Sequence, residues 1–215
     1  MKKRYDKIIL YILMIFTVLL AVGLVFTSMQ SREKVSKEEI NKRETLEKYD
    51  YIFPNNPVKS QMLAYDDLIN ALATEVVVEQ DYAKAIAKVF VTDFFTWTNK
   101  EGRYDIGGVE YITSGFGANF KYAAVNSFYY NLPTYVKEFG KNNLLEVDFV
   151  EILSVTEAEF IKTNGEAYDK SYIVHMKWTY VINEIFDNSK FQTTTHLTMV
   201  KDDDGKYKVA YFLRD

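Results

Sequence analysis

An α+β fold, with helices packed on a curved four-stranded antiparallel sheet behind a single membrane-spanning helix, is what this sequence predicts. Three patterns predict it. An uncharged run, Ile8 to Phe26, follows a terminus carrying Lys2, Lys3, Arg4 and Lys7. Apolar residues then recur at helical spacing between Tyr65 and Trp97. From Leu144 onward the apolar period changes from 3.6 to 2, the alternation of half-buried strands.

The first run, helical at about 1.5 Å per residue, reaches roughly 28 Å, enough to cross a hydrocarbon core of about 30 Å. A cleaved secretory signal and a buried core helix are the competing readings. Signal h-regions are shorter and end in a small-x-small site, which Thr27-Ser28-Met29-Gln30-Ser31 matches poorly. Four cations opposed only by Asp6 on the short leading side keep that side cytoplasmic and put everything after Ser31 outside. Residues 1–30 are therefore read as a cytoplasmic stub and transmembrane anchor. Residues 31–57 alternate in charge and cannot make a core. The pairs Glu38–Lys42, Glu39–Arg43 and Glu44–Lys48 suit a solvated helical stalk, a flexible tether being the alternative. Pro54, Asn55, Asn56 and Pro57 end it, and residues 58–215 are left as one domain.

Within that domain, Tyr65, Leu68, Ile69, Leu72 and Val76 form the stripe of a first helix. Tyr82, Ile86, Val89, Phe90, Phe94 and Trp97 form a second, capped at Asp81. After a glycine-rich connection, a third helical region spans Phe120 to Tyr130 and is broken by Pro133, and Tyr135 to Phe139 add a turn before Gly140. Leu145, Val147 and Phe149 begin the first strand. Tyr172 to Ile182, Phe191 to Lys201 and Lys206 to Leu213 are the others, joined by turns at Asp187–Lys190 and Asp202–Gly205. Pairing Phe186 with Phe191 sets Tyr180 opposite Leu197 and Trp178 opposite Met199, with Tyr207 against Met199 and Val209 against Leu197. One apolar face results, for the helices to cover.

Composition excludes several function classes. The formal net charge is −4, and no lysine-rich face is visible, which argues against a direct nucleic-acid binder. The absence of cysteine excludes disulfides, thiolate metal ligands and a cysteine nucleophile. The 17 Tyr and 15 Phe must supply the burial that cross-links do not. No Asn-x-Ser/Thr sequon occurs, which suits a bacterial envelope better than a eukaryotic secretory route.

Taken in order, a crossing, a polar stalk, two or three helices and four long strands ending in Tyr207-Lys208-Val209-Ala210-Tyr211-Phe212 resemble a known arrangement. It is similar to the extracytoplasmic nuclear-transport-factor-like domains, cystatin-like rolls, of bitopic assembly proteins in type IV secretion and Gram-positive conjugation machines. The resemblance covers the anchor and residues 81–215. It implies a membrane-anchored protein-interaction module of an envelope-spanning complex, a homo-oligomer that contacts other envelope proteins and catalyses nothing. It assigns no role to the stretch Asp105–Tyr111 and carries over no functional residue.

Candidate chemistry is sparse, and no cofactor or metal is expected. In the register above, His175 faces Asp202 and lies roughly 20 Å from His196 at about 3.3 Å per residue. The two cannot then share an ion, and no Ser-His-Asp set forms. Asp93, set between Phe90 and Phe94, is the one carboxylate that a hollow roll could desolvate into an acid or base, the plainer reading being a hydrogen-bonded residue at the stripe's edge. Gly107-Gly108 lacks the strand and the Lys-Ser/Thr of a phosphate loop and reads as a tight turn. Phe128, Tyr129 and Tyr130 either fill the core or offer a partner surface, and three consecutive aromatics on a helix cannot all face inward. The acidic run Asp202-Asp203-Asp204 reads as a solvated hairpin rather than a calcium loop. Two alternatives to the interaction module stand. One is a binding domain that takes a small ligand or cell-wall fragment into the hollow of the roll. The other is a roll-fold isomerase or dehydratase.

Overall fold

The computed structural model describes residues 44–214. The expected anchor, Ile8–Phe26, and the stalk as far as Arg43 lie outside the described residues. Among those described, no helix is long and apolar enough to cross a membrane. Residues 44–48 are helical, and a compact unit begins at Ile52.

That unit is α+β. Helices α1 (Lys59–Leu72), α2 (Glu79–Phe94), α3 (Gly117–Val125) and α4 (Leu132–Phe139) precede strands β1 (Val147–Glu157), β2 (Ser171–Tyr180), β3 (Thr194–Lys201) and β4 (Tyr207–Arg214). The strands form one antiparallel meander in chain order. The stripe of α1 is buried at Tyr65, Leu68, Ile69 and Leu72. Val76, expected to extend it, lies past the helix end and is 77% exposed. Helix α2 starts at Glu79, two residues before the expected cap, with Glu79 and Asp81 both in the first turn, where carboxylates favour the helix dipole. It is apolar on nearly all sides, as a helix sandwiched between neighbours must be: Ala83, Ile86, Ala87, Val89, Phe90 and Val91 are fully buried. Pro133 does not break the third helical region, which already ends at Val125; it opens α4 from the first turn, where its missing N–H costs nothing.

The inner face of the sheet carries the residues the alternation selects. Tyr172, Val174, Met176 and Trp178 of β2, Leu197 and Met199 of β3, and Tyr207 and Val209 of β4 are buried. The pairing differs from the expected one. Val174, not Tyr180, lies opposite Leu197, and Tyr172, not Trp178, lies opposite Met199, a displacement of six positions. The reason is the connection after β2. Residues 181–193 do turn at Asn188–Phe191, one position past the expected Asp187–Lys190, but that turn does not join the two strands directly. They fold into a loop in which Asn183 Oδ1 accepts from the Ile185 N–H, Asn188 Nδ2 donates to the Val181 carbonyl and the Phe191 N–H donates to the Asn188 carbonyl. Six is even, so every side chain keeps its face although every partner changes. In β3–β4 the slip is two positions, Tyr207 meeting Lys201 and Val209 meeting Met199. Phe149 was expected inside; a register irregularity between Val147 and Phe149 turns it out, 59% exposed. Ile182, expected in β2, lies beyond its end and is 93% exposed.

Candidate functional site: an aromatic cavity and a saturated polar hub

At the end of α2 the chain delivers aromatic rings from five directions to one place. Phe94 is central: its ring lies 5.2 Å from Phe120 of α3, 5.2 Å from Phe128 after α3, and 6.0 Å from Phe212 of β4. Phe95 lies tilted against Trp178 at 4.3 Å and meets Phe128 edge-on at 5.2 Å. Trp97 approaches Phe128 at 4.8 Å, Phe191 at 5.3 Å and Tyr135 of α4 at 5.9 Å. Edge and tilted geometries of this kind are attractive, but rings on short loops and short helices do not close on one another. They leave a cavity of about 660 Å³, within the range of small-molecule sites. Ala123, Ala124, Ser127, Asn131, Lys190 and Gln192 complete its lining. Ser127 Oγ is engaged by the Ala123 carbonyl and Gln192 Nε2 by the Thr194 carbonyl. Lys190 is the one cation in the lining, and no carboxylate lines the cavity. The buried Trp97 Nε1–H, in the cavity wall, has no hydrogen-bond partner.

The three aromatics singled out in the sequence separate here. Tyr129 is fully buried, its hydroxyl donating to the Phe94 carbonyl at 2.7 Å and accepting from the Gly107 N–H at 3.3 Å. Burial pushes that phenol well above its ordinary range. Phe128 is half-buried in the cavity wall. Tyr130 points out, 55% exposed, with the Arg103 guanidinium 5.6 Å from its ring.

Asp93, one position before Phe94, is turned the other way. Its Oδ1 accepts from Lys100 Nζ, an ion pair whose lysine side chain is only 8% exposed, and from Gln61 Nε2 at 3.0 Å. Oδ2 accepts from the Gly108 N–H at 2.7 Å. Gln61 Oε1 in turn accepts from the Val58 N–H and from Asn99 Nδ2. The carboxylate therefore ties α1, α2 and the loops at 58 and 99–108 together, with both of its oxygens engaged. The unassigned stretch Asp105–Tyr111 is what the hub requires. A Cβ on Gly107 would lie 2.2 Å from the Asp93 carbonyl oxygen, and Gly108 sits at φ +75°, which only glycine adopts freely. Tyr111, fully buried, places its hydroxyl 2.6 Å from that of Tyr65. Crowding of the Glu110 carboxyl by protein, with the Asp93 charge beside it, raises that group above the usual carboxylate range.

The acidic run is not a solvated hairpin throughout. Asp202 is buried, and its carboxylate accepts from the Ser114 N–H and hydroxyl at 2.9 and 2.7 Å. Asp203 pairs with Lys162. The expected distance between the histidines is overturned outright: His175 and His196 are direct cross-strand partners, their rings 4.0 Å apart. Sequence reasoning missed this pair because it rested on the displaced register, and it missed the cavity because Phe94, Phe128, Phe191 and Phe212 lie far apart in the chain.

No family model, curated protein or solved structure matches this chain.

Proposed function

We propose that this chain is a membrane-tethered, extracytoplasmic binding domain of a bacterial envelope, built as a cystatin-like roll, that takes an apolar ligand bearing an aromatic ring into the cavity around Phe94. The open aromatic cavity carries the reading. Stacking walls favour planar rings, and Lys190 favours a ligand whose polar end is anionic. No carboxylate or histidine lines the space, so the lining supplies no acid–base pair, and the reading is non-catalytic. The anchor read from Ile8–Phe26 supplies the tether.

A second reading, the interaction module of a conjugation or secretion machine, is favoured by the exposed outer face of the sheet, where Ile173, Tyr211 and Leu213 lie near one another across β2 to β4. Calorimetric titration of the full chain in lipid nanodiscs with 2-naphthoate, against empty nanodiscs, separates the two. Saturable one-to-one binding that disappears in Ala123→Trp, whose indole fills the cavity, and weakens about tenfold in Lys190→Ala supports the ligand reading. Absence of saturable binding, or binding indifferent to Ala123→Trp, overturns it in favour of the second. Added protease should degrade residues 52–215 on intact cells; survival of that portion sinks the placement outside.

A further inference from the structure

We propose that the open edge of β1 is a pairing surface for a second copy of this chain, joining two four-stranded sheets into one of eight strands. Strand β1 runs for eleven residues, Val147–Glu157, at the edge of the sheet with β2 on one side. Natural proteins keep edge strands short or place lysine or proline on them, and β1 has neither residue type in its eleven positions. Its aliphatic side chains are left open instead. Val150, Ile152 and Val155 stand opposite the buried Trp178, Met176 and Val174 of β2 yet are themselves half-buried, and Phe149 and Leu153 are exposed. Two cavities follow the same edge, one of about 620 Å³ against Ile152 to Val155 and one of about 230 Å³ against Asp148 to Val150, with α1 and α2 as their other walls. The ion pair Lys88–Asp67 lines both.

The chemistry of this edge fits a strand of its own kind. In the wider cavity every charge is already met, Lys88 by Asp67 and Lys84 by Asp81, so the open volume suits uncharged side chains. The inner row of β1 offers three, Val150, Ile152 and Val155. Leu153 is an extra residue in the pairing with β2, where Ile152 meets Met176 and Ser154 meets His175. With a twofold axis at Ile152 and the extra Leu153 passed over, Ile152 faces its own copy, Val150 faces Val155, Glu151 faces Ser154 and Phe149 faces Thr156. Inward residues then meet inward residues and outward residues meet outward ones, a match that a one-residue shift would destroy. Aliphatic pairs across an antiparallel ladder stabilise it. Asp148 and Glu157 are the like charges this register sets opposite one another, and both are exposed, near the two ends of the strand. The register is self-complementary, which selects a second copy over a foreign strand.

Because the chain has no cysteine, single cysteines test the pairing in the full chain purified in mild detergent. Facing residues of antiparallel strands have Cα atoms about 4.5–5.5 Å apart, within reach of a disulfide. Ile152→Cys should therefore form a covalent dimer on mild oxidation at least tenfold faster than Tyr211→Cys, on the outer face of the sheet, or Ser189→Cys, in the 181–193 loop, both of them at exposed positions. Sedimentation should show a dimer for the wild-type chain and a monomer for Ile152→Lys, which sets two ammonium groups at the axis. Circular dichroism checks the fold of the lysine variant, and the cross-linking result stands whether or not that variant folds. A monomeric wild-type chain, cross-linking of Ile152→Cys no faster than at the other two positions, or a dimer that survives in folded Ile152→Lys overturns the proposal.

Discussion

Asp93 and Phe94 are consecutive residues of one helix and end in opposite situations. The carboxylate of Asp93 meets Lys100, Gln61 and Gly108. The ring of Phe94, although buried, looks onto a cavity of about 660 Å³. The first region has spent its interactions on holding α1, α2 and the glycine loop in place. The second has apolar surface with nothing packed against it, a deficit that a ligand removes. Two neighbouring side chains thus distinguish a part of the molecule that stabilises from a part that leaves apolar surface open. The sequence offered Asp93 both as a weak candidate for chemistry and, more plainly, as a hydrogen-bonded residue at the stripe's edge; its contacts are those of the plainer reading.

Breaking the hub should cost the most. Asp93→Ala leaves the Lys100 ammonium buried without its partner and should destabilise the unit by about 3 kcal/mol, measured as a shift in the urea midpoint. Removing both charges, Asp93→Leu with Lys100→Met, should cost clearly less than the single change. If Asp93→Ala costs under 1 kcal/mol, the hub does not stabilise and the contrast with the cavity fails. Tyr129 stands between the two regions. Its conversion to Phe removes the bond to the Phe94 carbonyl, for about 1–2 kcal/mol, without altering the lining of the cavity. Phe128→Ala touches the cavity directly, and because its ring is already open on one side the loss should be about 1–2 kcal/mol, below the 3–5 typical of a core phenylalanine. Its binding of 2-naphthoate should nevertheless fall at least tenfold. Stability lost with binding intact would place the ligand elsewhere.

Acid sharpens the same contrast at a third place. Partial burial opposes ionisation of Asp202, but the hydrogen bonds from Ser114 and from the Asp203 N–H outweigh it and hold the carboxyl below its ordinary range. A carboxyl depressed by folding stabilises above its unfolded pKa, about 3.9, and that contribution disappears as pH falls through the lower folded value. Ser114→Ala should therefore lower stability by about 1 kcal/mol at pH 7, with the gap to wild type narrowing below about pH 4. A gap that widens in acid would contradict the assigned bonds. Tyr130→Ala, on an exposed ring, should change stability by no more than about 0.5 kcal/mol.

The limits of sequence reading show in particular residues. Tyr65, Leu68, Ile69 and Leu72 announced α1 because helical periodicity is local. Trp178, Val174 and Leu197 announced the inner face because alternation survives any even slip of register. The pairs themselves were not legible: the loop at 181–193 is folded by the side chains of Asn183 and Asn188, and no turn pattern at Asp187–Lys190 foretells that. Gly107 was legible as a turn, and its reason, the Asp93 backbone at its Cβ position, was not.

Among the described residues, the sequence by itself therefore determined the order of helices and strands and the buried side of α1, α2 and β2 to β4, since both follow from the period of apolar residues along the chain. The tertiary structure decided which side chains meet: Asp93 with Lys100, Phe94 with Phe212, and His175 with His196. Those encounters depend on how loops set register and how far short helices reach, quantities that accumulate over many residues and are encoded at no single position.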